Sequence, residues 1–145
     1  RLDDPIMAHR CRAEPSTPSV AVATDGLPLG AIPSAANIHD TRLFPHLLHL
    51  ALAVCTAIAK LYADAGYDSA DNRRLCLGQG IQPYIRQIGE AHGSGLGRVR
   101  SVVEHDCAWL LANKRLDRRH DRLGYIILAL LTAACIFIAN RISPF

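Results

Sequence analysis

The chain reads as an α/β protein, a mixed sheet flanked by helices, and three observations carry that reading. Apolar runs pair near the front, strand-like and helix-like patterns alternate in the middle, and two helical patterns close the chain. With 145 residues it fits a single domain over 1–145, and a domain of that size buries about 70% of its unfolded surface. Hydrophobic residues make up 50% and charged residues 20% of the chain, a balance that excludes global disorder.

Taken in order, residues 1–9 hold a short strand with Pro5 at its edge, and residues 10–18 are a polar, proline-containing loop. Ser19–Thr24 and Leu27–Ile32 are apolar runs joined by Asp25-Gly26, a strong hairpin signal. After a turn at Ser34–Asn37, the Leu- and Ala-rich His39–Val54 predicts a helix, with Pro45 tolerable only near its first turn. Ile58–Ala63 predicts a buried strand ending at Asp64-Ala65-Gly66. Asp68 is expected to cap a helix running to Leu77, with Asp71 in its first turn and Gly78 and Gly80 stopping it. Ile81–Ile88 reads as a strand, Gly89–Gly97 as a glycine-rich loop, Arg98–Arg119 as a helix and Arg122–Asn140 as a final apolar helix. Within that last helix Tyr125–Ala139 is free of charge, but a spanning helix needs about 20 apolar residues, so a buried core helix is expected.

The five cysteines, Cys11, Cys55, Cys76, Cys107 and Cys135, are odd in number and contain no C-x-x-C pair. That argues against a disulfide framework or a zinc site and for a reducing interior, with Cys55, Cys107 and Cys135 as small core residues. No signal peptide is seen, since Arg1–Asp4 is charged and no apolar stretch follows. The opening Arg reads as a piece of a longer product or a trimmed start. A net charge of +3 permits a polyanionic partner without requiring one. Its distribution says more, because seven of the sixteen Lys and Arg residues lie between Arg98 and Arg122.

Among the acids, Asp64 sits at the carboxyl end of an apolar strand, where open α/β sheets place ligand-binding groups. On composition alone, a turn-forming Asp before Gly66 is the readier account. Val99, Val103, Cys107 and Leu110 form one helical stripe, with Glu104 at its margin and Asp106 projecting into it. Glu104 either points into a cleft or forms an i, i+4 pair with Arg100. Asp3 or Asp4 is a third candidate from a separate segment. Three converging carboxylates matter because two divalent ions about 3.5–4 Å apart can serve the attacking and leaving oxygens of a phosphodiester displacement. Such hard oxygen ligands suit Mg²⁺. Lys114, Arg115, Arg118, Arg119 and Arg122 form either a solvated helix face or a phosphate-contacting one. Gly93–Gly97 matches neither the P-loop nor the dinucleotide pattern, and the seven histidines show no metal-ligand spacing.

Read together, YADAGYDS (Tyr62–Ser69), GIQPYI (Gly80–Ile85), HGSGLGRVRSVVE (His92–Glu104) and AWLLANKRLDRR (Ala108–Arg119) resemble the DDE transposases of bacterial insertion sequences. ANIHD (Ala36–Asp40) and the apolar tail are similar to segments of the same family. The resemblance implies a ribonuclease-H-like fold, N-terminally truncated, and two-metal phosphoryl transfer: water cleaves at the transposon end, then the freed 3′-hydroxyl attacks target DNA. By position, Asp64 resembles the second catalytic aspartate, Glu104 the catalytic glutamate and Asp3 the first aspartate, the three holding two Mg²⁺ ions, with Mn²⁺ as a substitute. Arg98, Arg100, Lys114, Arg115, Arg118 and Arg119 are the implied DNA contacts. The implied partners are double-stranded DNA, as transposon ends and target, and a second copy in the DNA complex. No membrane is implied, and the implied location is the cytoplasm, at the nucleoid.

The chain departs from the family pattern in four places. The spacing from Asp3 to Ala8-His9 is one residue short, and a basic, glycine-containing stretch is largely missing between Arg12 and Ser19. His105-Asp106 stands where members commonly show Arg-Thr, and the DNA-binding region expected upstream in the family is not among these 145 residues. These departures fit a shortened copy. Two further classes therefore stand beside the enzyme: a DNA-binding remnant without cleavage, and a membrane-associated peptide anchored by residues 125–139.

Overall fold

The computed structural model describes residues 5–11, 18–35, 37–87, 97–112, 116 and 124–142, with backbone alone for 97–100 and 103. Five strands form one mixed sheet: β1 (Ile6–Arg10), β2 (Ser19–Ala23), β3 (Pro28–Ile32), β4 (Lys60–Ala63) and β5 (Gln82–Ile85). They lie side by side as β3-β2-β1-β4-β5. β1, β2 and β3 form an antiparallel meander, while β4 joins β1 in parallel and β5 joins β4 in parallel.

The meander turns where local chemistry demands it. Gly26 takes φ +87°, a conformation side chains rarely adopt. Asp25 Oδ1 accepts from the Leu27 N–H at 3.1 Å, closing the turn from within.

Helix α1 (Asp40–Val54) lies on one sheet face and α2 (Ala70–Gly78) packs beside it; α3 (Gly97–Leu111) and α4 (Gly124–Ile142) lie on the other face. Strand periodicity sorts the side chains between two cores. Ile6 and Ala8 of β1 join Ala21, Phe44, Leu47 and Tyr67 on the α1 side. Met7 and Cys11 join Val20, Val22, Leu110 and Leu131 on the α3 side. Tyr62 and Tyr84, registered across β4 and β5, stack with ring centroids 4.9 Å apart.

Pro45 sits at the sixth residue of α1, deeper than the first turn. It removes the N–H that would bond Thr41 O, four residues earlier. Asn72 Nδ2 takes that place, donating to Thr41 O at 3.2 Å and to Tyr67 O at 2.9 Å from a buried position. The proline is tolerated because α2 supplies the missing donor.

Four other expectations are corrected. The cap of α2 is Ser69, whose hydroxyl accepts from the Asn72 N–H at 3.0 Å; Asp68 instead takes Arg73 Nε at 2.8 Å. β5 stops at Ile85 rather than Ile88, and its Pro83 sits on the edge strand, where a missing donor is harmless. The final helix is not a buried core helix. Ile127, Leu131 and Ile138 are buried, but Tyr125, Ile136 and Phe137 are more than 60% exposed, so one face packs and the other does not. By length and composition this helix could cross a membrane, and 17% of its most apolar window is buried.

The fourth correction concerns the cysteines. Cys11 and Cys107 form a disulfide with Cα atoms 5.4 Å apart, although 96 residues separate them in sequence. The end of β1 and the inner stripe of α3 meet in the second core, which brings these two thiols together. Cys107 is buried as expected, but as half of a crosslink, and the cysteine pattern no longer argues for a reducing compartment. Cys55, Cys76 and Cys135 are free thiols. Of α3, the description runs to Leu111, with Leu116 helical and buried; the remainder of the helix expected to reach Arg119 lies outside the described residues.

Candidate active site

Asp64 follows the last residue of β4, at the carboxyl edge of the parallel pair β1–β4. Alternation decides where it points. Leu61 and Ala63 belong to the core under α1, whereas Tyr62 packs with the core under α3. Asp64 continues the Tyr62 parity and meets the side chain of His9, on the same face of β1 as Met7 and Cys11. His9 Nδ1 and Asp64 Oδ2 form an ion-pair contact, with the His9 side chain 16% and the Asp64 side chain 42% exposed. The carboxylate is thus anchored on one side and reachable from solvent.

Arg10, the next residue of β1, points to the opposite face. It pairs with Asp40 at the start of α1 and donates to Ile38 O at 3.1 Å. Gly66 completes this arrangement, because a Cβ there would stand 2.5 Å from Asp40 Oδ2. The glycine in Asp64-Ala65-Gly66 leaves room for this approach of the Asp40 carboxylate, which a Cβ would force to shift. Tyr67, closing the 3₁₀ turn Ala65–Tyr67, is fully buried beneath these charges. Burial pushes its phenol well above the ordinary value, and the carboxylates of Asp40 and Asp64 push the same way. Ser19 lies close enough to lower it, without a well-formed hydrogen bond between the two hydroxyls.

Glu104 lies on an exposed part of α3. One turn further along, Cys107 is crosslinked to Cys11, two residues beyond His9. Chain and crosslink therefore lead from Glu104 to Asp64 through Cys107, Cys11 and His9. Asp3 lies outside the described residues, as do Lys114, Arg115, Arg118 and Arg119; Arg98 and Arg100 belong to α3 by backbone. The glycine-rich run before Gly97 is also outside them. Asp64 and Glu104 are hard oxygen donors, the type that suits Mg²⁺. Among the described residues, no group of three His, Cys, Asp or Glu side chains is placed to hold a metal ion.

His9, Arg10, Asp40 and Tyr67 escaped the reading of the sequence. His9 and Asp64 are 55 positions apart, and only the register of β1 against β4 joins them. Asp106, singled out as an acid in an apolar stripe, is 2% exposed, and its Oδ2 has no hydrogen-bond partner. Burial first, and then the nearby charge of Asp25, push its carboxyl up to about 7.

Residues 12–137 match the family model described as the transposase DDE domain. A protein named as the transposase for insertion sequence element IS402 of Burkholderia cepacia is 37% identical over 142 residues. That alignment covers 88% of this chain and 64% of the relative, so the chain spans less than two thirds of the relative's length. In three dimensions the chain is similar to the catalytic core domain of BIV integrase, with a TM-score of 0.55 and 16% identity, over 92% of this chain and 81% of that one. The sheet and its helices therefore form the ribonuclease-H-like fold expected from the motifs.

Proposed function

The chain belongs to the DDE transposase family, and on that premise we propose that it is the catalytic part of an enzyme that cleaves and joins DNA at insertion-sequence ends. Asp64 and Glu104, with Asp3 as the third acid, are the proposed catalytic and metal-binding residues. One observation carries the reading: Asp64 projects toward the sheet face that α3 covers, and α3 is the helix that bears Glu104. Acids from separate segments on one face are what a two-metal site requires.

Two Mg²⁺ ions, or Mn²⁺ in their place, would supply charge stabilisation for the attacking and leaving oxygens. His9 orients the Asp64 carboxylate by holding one oxygen. Arg98 and Arg100 on α3, with Lys114, Arg115, Arg118 and Arg119 beyond it, bind the phosphates of double-stranded DNA, both transposon ends and target. A homodimer on the DNA and a cytoplasmic, nucleoid-associated location belong to the same proposal.

The test is Mg²⁺-dependent nicking of a duplex carrying the element's terminal repeat. Wild type nicks it, whereas Asp64→Asn and Glu104→Gln, which preserve shape, lose the reaction while still binding DNA. Nicking that survives either substitution would refute the assignment. A second reading, a DNA-binding remnant without cleavage, draws on the His9 ring seated on Asp64, which occupies an oxygen that a metal would use. Salt-sensitive DNA binding with no nicking under any divalent ion would favour it.

A further inference from the structure

A cavity lies away from Asp64, between the β2–β3 turn, α3 and the end of α4. It measures about 350 Å³ and is lined by Asp25, Gly26, Ser101, Val102, His105, Asp106, Trp109 and Ile142. Its walls divide by chemistry. Val102, Trp109 and Ile142 are apolar, Asp25 and Asp106 contribute two carboxyl groups, and Ser101 and His105, whose ring meets Trp109 edge-on at 4.5 Å, complete the lining. Gly26 adjoins both kinds of group, since a Cβ there would stand in ordinary contact, 3.8 Å from Asp106 Oδ1 and 3.5 Å from Ile142 Cδ1.

The observation pointing to a ligand is Asp106. It is 2% exposed and its Oδ2 has no hydrogen-bond partner. Buried carboxyl groups are ordinarily paired, and an orphan at a cavity wall calls for a donor that the described chain does not supply. An indole ring and two carboxyl groups lining one cavity suit a flat organic cation. The Trp109 ring already tolerates such a neighbour, for Arg141 Cζ lies 6.0 Å from its centroid.

We propose that this cavity binds an alkylguanidinium group, which donates to Asp106 and Asp25 and lies against Trp109. A guanidinium is planar, carries five N–H donors, gives up its hydration more readily than an ammonium, and packs on aromatic rings. Such a group arrives either on a free small molecule or as an arginine side chain of a peptide, and the cavity reads the group itself.

Trp109 is the single tryptophan of the chain, so its fluorescence reports this cavity alone. The full chain is titrated at about pH 8 with agmatine and, separately, with N-acetylarginine amide, each matched against KCl at equal ionic strength; a saturable change with Kd about 1 mM or tighter is expected. Saturation by agmatine alone assigns a free guanidine, and saturation by the capped arginine assigns a peptide side chain. Asp106→Asn should weaken the better ligand about tenfold or more. Asp25→Asn, at an exposed position where folding is not at risk, should weaken it about threefold, and it decides the matter if the Asp106 variant does not fold. No saturable change with either ligand, an equal response to KCl, or unchanged affinity in the folded variants would overturn the proposal.

Discussion

Asn72 Nδ2 donates to the carbonyl of Thr41 at 3.2 Å, filling the position that Pro45 leaves without a helical donor. The same amide holds Tyr67 O at 2.9 Å, so one buried side chain ties α1, α2 and the turn after Asp64 together. Asn72→Ala should cost about 1–3 kcal/mol by stranding one buried and one partly buried carbonyl. In a Pro45→Ala background the helix supplies its own donor to Thr41 O, and the Asn72→Ala penalty should shrink. Urea denaturation of all four chains closes the cycle, and equal penalties in both backgrounds would contradict this account.

Gly66→Ala should destabilise the protein by about 1–2 kcal/mol, because the new Cβ displaces Asp40 from Arg10. Pairing it with Asp40→Ala removes both the obstacle and the ion pair, so the second substitution should then add little. Chemical denaturation of the single and double variants measures the difference.

In denaturant without reductant, Ellman's reagent should titrate three thiols of the five cysteines, and all five after reduction. A crosslink spanning 96 residues restricts the unfolded chain strongly. Its reduction should cost up to about 4–5 kcal/mol on the chain-entropy account. Thermal melts with and without dithiothreitol check the direction, and identical melts would show that the bond does not form.

Asp106→Asn should stabilise the native state at alkaline pH. The folded carboxyl lies near 7, above its ordinary value of 3.8, because it is buried and lies near Asp25. The native chain therefore keeps a proton that the unfolded chain releases, and wild-type stability falls as pH rises from about 4 to about 7. The gain from Asn should be near zero at about pH 4 and about 1–2 kcal/mol at about pH 8. Denaturation at the two pH values tests this.

His9→Ala separates the two readings of Asp64. If the ring orients the carboxylate, the variant should need about tenfold more Mg²⁺ for half-maximal nicking. A lower requirement would mean that the ring blocks the ion.

Local chemistry alone was enough for the Asp25-Gly26 hairpin, for strand β4 ending before Asp64, for the helix of Glu104 and for the family, because each rests on neighbours in sequence. The sequence also marked Asp106 as an acid out of place in its stripe. It could not supply the partner of Asp64, the donor that rescues Pro45, or the bond between Cys11 and Cys107. Those depend on sheet order and register, which bring together groups 31, 55 and 96 positions apart. The exposed face of α4 was equally hidden, because an apolar run has the same composition whether two sides are covered or one. Composition determines how much surface must be buried; only the packing of one element on another decides which surface it is.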